Sequence, residues 1–266
     1  MLEQPLAFTT ATLLALIRRR GGEPHVTLAA EPVWYDETAQ RVLDAQVNAV
    51  LAEQGLFGPG GMDRDLLVLI EAIARPEVEF YGWYESVTDG GSSTVAMYAG
   101  SGPRGAFVLV NAIDGDVVHV APERPDELLT GFMNQVPACP PGAGERLVVG
   151  KGEFTTGRAP VSEDTEAAVM RSGVGRAVAS PGLEIARIMR APRTGAGTLY
   201  AAGRTRASTR HRCRRPVNFL DTAEGRWLME EVPGRGEPLV VFTPATPQLL
   251  ADRVRHAYTS LPTDRR

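Results

Sequence analysis

The stretch "VHVAPERPDELL", Val118 to Leu129, has the apolar alternation of a β-strand and then passes through two prolines into a helix. The stretch "VVFTPATPQLL", Val240 to Leu250, repeats this arrangement near the end of the chain. Pro244 follows Pro122 by 122 positions, and the second proline of each stretch shows the same offset. The two stretches predict that each half of this 266-residue chain closes with the same strand–helix unit.

The residues before the first stretch predict helices followed by an antiparallel meander. Thr9 or Thr10 can cap an N-terminal helix, a second helix is predicted near residues 37–54, and Asp63 can cap a third that ends before Pro76. The apolar runs that follow are joined by turns too short for parallel crossovers, which predicts antiparallel pairing. These runs are "VEFYGWYE", "STVAMYAG", "GAFVLVNAI" and "DVVHVAP", and a helix over residues 124–135 closes the half.

The second half shows the same order of elements. A helix from Ser162 to Gly173 and a helix capped by Ser180 precede a further set of apolar runs, and a helix over residues 248–260 closes the chain. This order favours an internal duplication, with the two copies packed about a pseudo-twofold axis. We place the halves at residues 1–140 and 141–266 and expect them to form one compact structural unit.

The composition is that of a globular protein, with 43% hydrophobic residues and a formal net charge of −4. This charge favours neither nucleic acid nor a membrane as the partner of the chain as a whole. No apolar run approaches the roughly 18 residues of a membrane helix, and the N-terminal arginines follow the apolar stretch, unlike those of a signal peptide. We expect a soluble cytoplasmic protein in which Cys139 and Cys213 form no disulfide.

The sequence contains no convincing catalytic constellation. The stretch "GSGPRG", residues 100–105, matches a dinucleotide fingerprint, but a predicted strand follows it where the fingerprint needs a helix, so a hairpin turn is favoured. The four histidines do not pair at metal-ligand spacing. We therefore expect no enzyme, no cofactor and no metal. An enzyme without a sequence motif stays an alternative, which a deep polar cleft with shifted ionisable groups would favour.

One basic segment, "RTRASTRHRCRR" at residues 204–215, is unusual in a chain of acidic balance. If the segment is extended, its two-residue period places five guanidinium groups on one strand face. One interpretation is a solvated hairpin, and the alternative is a surface that binds nucleic acid or an acidic protein. The residues of this basic stripe are Arg204, Arg206, Arg210, Arg212 and Arg214.

Several stretches together resemble the EspG family, the cytosolic chaperones of ESX (type VII) secretion. The run "ARPEVEFYGW" within residues 74–83 is similar to a family segment, and "DTAEGRW" at residues 221–227 resembles the family's DT-x-x-GRY/W strand pair. The linker "CPPGAGERLVV" and the closing "VVFTPATPQLL" are also similar, and the segments occur in the family's order. The N-terminal helix departs from the family because it lacks the tryptophan often found there.

The resemblance implies an α+β fold with a central antiparallel sheet, flanking helical bundles and a pseudo-twofold between the halves. It implies a chaperone without enzymatic activity that binds the apolar tip of a secreted helical protein or PE/PPE-like heterodimer. The partner would stay soluble until delivery to the ESX machinery. We expect no nucleic acid or membrane partner under this interpretation, and a monomer or weak homodimer.

The resemblance also places the contact with the partner in the loop after "YGWYE" and at the corresponding strand of the second half. Trp83 and Trp227 in these strands fit either the core or the contact surface. The candidate contact residues are Tyr84, Val87, Thr88, Asp89, Gly90, Gly91, Ser92 and Arg226.

Overall fold

The computed structural model of the protein describes residues 4–28, 36–156, 180–205 and 209–262. The helices are α1 (Thr10–Arg19), α2 (Glu37–Glu53), α3 (Arg64–Ala74), α4 (Leu128–Met133), α5 (Lys151–Thr156), α6 (Pro181–Arg190) and α7 (Pro247–Thr259). The strands are β1 (Leu6–Thr9), β2 (Phe57–Gly58), β3 (Gly61–Met62), β4 (Val78–Thr88), β5 (Gly91–Ser101), β6 (Ala106–Ala112), β7 (Val117–Glu123), β8 (Leu147–Gly150), β9 (Arg193–Arg204), β10 (Arg210–Arg212), β11 (Val217–Thr222), β12 (Gly225–Val232) and β13 (Leu239–Pro244).

The chain divides into two compact units. Unit 1 comprises Met1–Ala138, Gly197–Val217 and Pro247–Arg266, and unit 2 comprises Cys139–Ala196 and Asn218–Thr246. The first boundary falls close to the predicted one at residue 140. The rest of the division differs from the predicted halves, because residues 197–204 of β9, the β10 segment and α7 belong to unit 1.

Unit 1 contains an antiparallel sheet in the order β1-β7-β6-β5-β4, followed by residues 197–204 of β9, with which β10 pairs. The β4–β5 ladder is the longest pairing, and it runs from Val78 opposite Ser101 to Thr88 opposite Gly91. The predicted meander is therefore confirmed. The stretch at residues 100–105 forms the β5–β6 turn, as predicted, with the Gly102 N–H donating to the Gly105 carbonyl oxygen at 2.9 Å.

Helices cover both faces of this sheet. Thr9 and Asp63 cap α1 and α3 as predicted, because their side-chain oxygens accept backbone N–H groups of the first helical turn. The two helices pack their apolar faces on one side of the sheet, and α4 and α7 pack together on the other, where Phe80 lies between Phe132 and Tyr258. The core residues contributed by α1 and α3 are Leu13, Leu16, Ile17, Leu66, Leu69, Ile70 and Ile73.

Unit 2 is a smaller antiparallel sheet in the order β11-β12-β13-β8, with α5 and α6 packed on it. Ser180 caps α6 and Pro181 occupies its first turn, as predicted. One buried cluster in the core of unit 2 contains Val149, Ile185, Ile188, Leu220, Trp227 and Phe242.

The antiparallel strands and the helices packed on them confirm the α+β class. The helix predicted from Ser162 to Gly173 lies outside the described residues, and the internal duplication stays a prediction. Among the described residues, every helix is too short or too polar to span a bilayer.

Candidate functional site

The most exposed part of the unit 1 sheet is the turn between its two longest strands. Strand β6 pairs with β5 only from Val95 onward, whereas β4 and β5 stay paired as far as Thr88 and Gly91. Residues 87–93 are all exposed. We call residues 86–93 the β4–β5 tip, and its β5 edge extends beyond the β6 pairing.

Six of the predicted contact residues share this tip. They are exposed, and the side chain of Val87 keeps 36% of its accessible surface. The Thr88 hydroxyl donates to the Gly91 carbonyl oxygen at 3.2 Å, which closes the turn. The structure thus brings together Val87, Thr88, Asp89, Gly90, Gly91 and Ser92.

Tyr84 does not belong to this exposed group. Successive strand residues point to opposite faces, and Tyr84 lies on a covered face with only 7% of its surface exposed. Its prediction as a contact residue is corrected here for that reason. Trp83, on the other face, is half-buried and packs edge-on against Tyr81 and Tyr200, so it belongs largely to the core of unit 1.

Gly82, the small residue in the "YGW" stretch, is required by the close approach of two strand backbones. A Cβ atom at this position would overlap the backbone carbonyl oxygen of Thr198, so the β4 backbone approaches β9 more closely than a side chain permits. This part of the stretch therefore serves sheet packing.

Arg226, the predicted contact residue of the second half, lies in the interior of unit 2. Its guanidinium donates from Nε to Asp221 Oδ1 and from Nη2 to Asp221 Oδ2, each at 2.6 Å, and both side chains are 2% exposed. The guanidinium also lies 4.4 Å from the centroid of the Phe219 ring. Arg226 is therefore not presented to a partner, because Asp221, five residues earlier and directly opposite in the β11–β12 ladder, binds it inside.

The rest of the "DTAEGRW" stretch builds the turn around this ion pair. The Thr222 hydroxyl donates to the Gly225 carbonyl oxygen at 3.1 Å, and Gly225 has a φ of +115°, where a side chain would be strained and would meet the Pro141 carbonyl oxygen. Trp227 is 1% exposed and belongs to the core of unit 2. The stretch stabilises unit 2 and offers little surface to a partner.

The predicted basic stripe is broken into parts. Strand β10 contains only three residues, and Arg210 and Arg212 share one of its faces with Arg204, which lies opposite Arg210 on β9. Arg214 is exposed in a bend, so it does not continue the strand, and Arg206 lies outside the described residues.

Three of the stripe arginines contact groups of unit 1. Arg204 Nε donates to the Pro76 carbonyl oxygen at 3.2 Å, and the Arg212 guanidinium lies 5.2 Å from the Tyr200 ring centroid. Arg210 forms a bidentate pair with Glu79, with its Nη2 2.7 Å from Oε2 and its Nε 2.9 Å from Oε1. The hydrogen bonds that Arg210 donates to Glu79 raise the pKa of Arg210. These contacts do not favour a nucleic-acid surface, because the central cation is already neutralised within the fold.

The Glu79–Arg210 pair lies in the wall of a cleft of about 1070 Å³ in unit 1. His25 covers the pair: its ring stacks on Tyr98 with centroids 3.9 Å apart, and its Nε2 is 3.6 Å from Glu79 Oε2. Sequence reasoning missed this arrangement because a lone histidine between α1 and α2 carries no spacing signal. This polar cleft is the feature that would favour an enzyme, and the protonation and charge of its ionisable groups decide whether it does.

His25 is poorly suited to proton transfer. Its Nδ1 lies 2.8 Å from the Thr27 hydroxyl oxygen and its Nε2 lies 3.4 Å from Arg210 Nη2, so both ring nitrogens face polar groups of the fold. Burial, and next the charge of Arg210, lowers the pKa of His25 from its ordinary 6.5 to about 3. The ring is therefore neutral at physiological pH, and Glu79 is 1% exposed and bound by Arg210. We interpret the group as a structural latch.

This latch predicts acid sensitivity. Between pH 6.5 and 3 the unfolded chain binds a proton at His25 that the folded chain does not bind, so the free energy of unfolding falls as the pH falls. The contribution of His25 to the free energy of unfolding is fully present above pH 6.5. About 2 kcal/mol of it is lost by pH 5. Urea unfolding at pH 7 and pH 5 measures this loss, and His25→Phe, which keeps an aromatic ring on Tyr98, is expected to reduce it. An equal loss in both proteins would contradict the assignment.

A second exposed turn lies at the same end of the unit 1 sheet as the β4–β5 tip. Residues 112–117, which we call the β6–β7 turn, are all exposed, and Ile113 keeps 51% of its surface. Sequence reasoning did not single out this turn, and the signal that it overlooked is an isoleucine inside a turn, where polar residues and glycine are usual.

These features characterise a protein whose most prominent site is an exposed hairpin turn on an antiparallel sheet. The EspG family model matches residues 9–256, and the chain belongs to the EspG family. Among solved structures, the chain is similar to the type VII secretion system chaperone EspG5 of Mycobacterium tuberculosis, determined in complex with a PE25–PPE41 dimer. The TM-score is 0.65 at 15% sequence identity, over 97% of each chain, so this likeness is one of fold. No curated protein is significantly similar in sequence.

Proposed function

We propose that this protein is a cytosolic chaperone that binds the apolar end of a PE/PPE-type helical heterodimer and keeps it soluble for type VII secretion. The observation that carries the proposal is the family match over residues 9–256. The fold likeness to EspG5, which was solved with a PE25–PPE41 dimer bound, supports the class of partner. Delivery to an ESX secretion system follows from the same family membership.

The mechanism that we propose is burial of exposed apolar surface. A long helical pair with an uncovered apolar end aggregates unless another protein covers that end. The β4–β5 tip offers Val87 and an exposed strand edge for this contact. Burial of several hundred Å² at about 25 cal/mol/Å² gives several kcal/mol, from which the costs of association are subtracted. Such an affinity permits later release of the partner.

The protein acts without catalysis in this proposal. The cleft of unit 1 is the strongest alternative site, yet His25 is held neutral and Glu79 is neutralised by Arg210. Neither group is available as an acid or a base near neutral pH.

Co-elution with a PE–PPE heterodimer from the organism that encodes the chain tests the proposal. The wild-type protein is expected to form a stoichiometric complex in size-exclusion chromatography, and Val87→Asp is expected to weaken binding at least tenfold, because it places a charge in an apolar contact. Failure of every such heterodimer to bind the folded wild-type protein would overturn the proposal.

Val50→Asp is the matched control for this experiment. Val50 is a valine of similar exposure, 38%, on α2. The Thr10 N–H at the start of α1 donates to the Asp116 carbonyl oxygen, whereas Arg19 in its last turn contacts Asp44 of α2. Val50 lies on α2, which is separate in sequence from both hairpin turns. Its replacement is expected to leave binding unchanged.

A further inference from the structure

We propose that the partner surface extends from the β4–β5 tip onto the β6–β7 turn, and that it selects a helical partner whose apolar end is flanked by lysine or arginine side chains. This inference rests on the proposed function, because it specifies the partner of the same surface. Together, residues 85–94 and 112–117 are called the hairpin end of unit 1.

Strand β5 connects the two turns. Val87 on β4 lies opposite Ser92 on β5, and two residues further along β5 the Thr94 carbonyl oxygen accepts the Ile113 N–H at 2.9 Å. Neighbouring strands are about 4.8 Å apart and rise about 3.4 Å per residue, so the exposed side chains of the two turns lie within roughly 20 Å of each other. Two packed helices, each about 10 Å across, span that distance.

Both turns expose aliphatic side chains that the fold leaves uncovered. The exposed fractions are 36% for Val87, 51% for Ile113 and 46% for Val117. These are three of the eight large apolar side chains that are exposed among the described residues. Val87 and Ile113 give the hairpin end an apolar centre that a partner can bury, whereas Val117 points to the other sheet face, because its neighbour Val118 lies in the core on the face of Val87.

Carboxylates surround this apolar centre. Glu85, Asp89, Asp114 and Asp116 are exposed, and none of them forms an ion pair with another of the described residues. The hairpin end contains no lysine or arginine. Its four carboxylates equal the formal net charge of −4 of the whole chain, so the remaining residues are balanced.

The occupant that fits is a cationic, apolar helical end. Basic side chains beside the apolar contact would meet unpaired carboxylates, which accelerates association and excludes acidic partners. A second copy of this chain would bring two acidic surfaces together, so the charge disfavours self-association through the hairpin end.

The test removes charge without changing shape. Asp114→Asn combined with Asp116→Asn retains residues suited to a turn, so folding is preserved. The probe is the PE–PPE heterodimer that binds the wild-type protein, and association is measured at low and at high salt. The double variant is expected to associate on the order of tenfold more slowly at low salt and to show a weaker salt dependence. The matched control is Glu53→Gln with Glu145→Gln, which removes two exposed carboxylates elsewhere.

The outcomes separate this inference from the proposed function. Wild-type rates and salt dependence in the aspartate variant, with normal binding by the wild type, would overturn the charge selection and leave the chaperone function standing. An equal slowing in the control would also overturn it, because net charge alone would then be responsible. Absence of binding by the wild type would overturn both. Slowing confined to the aspartate variant supports the inference.

Discussion

Replacing Asp221 with alanine is expected to lower the free energy of unfolding by about 3–5 kcal/mol. The change leaves the Arg226 guanidinium buried at 2% exposure and removes its two 2.6 Å hydrogen bonds to Asp221. A buried charge that loses its ion-pair partner bears much of the cost of lost hydration. Because domains are stable by only about 5–15 kcal/mol, unit 2 is expected to lose much of its stability. Urea unfolding followed by circular dichroism measures the effect.

A double replacement separates the lost partner from lost packing. Asp221→Leu with Arg226→Met removes both charges and keeps apolar volume, so it is expected to recover most of the stability lost in the single variant. An Asp221→Ala protein within about 1 kcal/mol of the wild type would show that water reaches Arg226 and that the pair is not a buried one.

Replacing Arg210 with methionine is expected to cost about 2–3 kcal/mol, because the carboxylate of Glu79 stays buried at 1% exposure without its bidentate partner. Arg210 itself is one-third exposed, which makes the loss smaller than at Asp221. Burial, the larger cause of the lowered pKa of His25, remains in this variant, but the pKa is expected to rise because the charge of Arg210 is gone and the carboxylate of Glu79 lies 3.6 Å away.

Arg212→Met supplies the comparison for this variant. Arg212 lies on the same face of β10 but contacts the Tyr200 ring, so its loss is expected to cost less than about 1 kcal/mol. An NMR titration of His25 and urea unfolding of both variants measure the difference. Equal stabilities of the two variants and an unmoved His25 pKa would contradict the latch.

The elements of this fold could largely be predicted because local rules determine them. Thr9, Asp63 and Ser180 cap helices where the sequence placed them, and short Gly- and Asp-rich turns made the meander antiparallel. The exposed β4–β5 tip was also predictable, through the resemblance to the family. These features depend on a few consecutive residues.

The errors concern side-chain contacts and strand pairings that the order of residues along the chain does not indicate. The sequence around Arg226 did not indicate that Asp221 would bind its guanidinium in the interior of unit 2. The prediction of a basic stripe assumed one extended strand, but the chain bends after β10. In addition, Glu79, which lies 131 residues earlier in the chain, neutralises Arg210. The division into units was missed because β9 and α7 return to unit 1 after long excursions of the chain.

Hydrogen–deuterium exchange of the protein with and without a bound PE–PPE heterodimer tests the central claim most directly. The account predicts that binding slows exchange in residues 85–94 and 112–117 and leaves the cleft around His25 unchanged. Slowed exchange confined to the cleft or to the β10 segment, with no protection at the hairpin end, would contradict it.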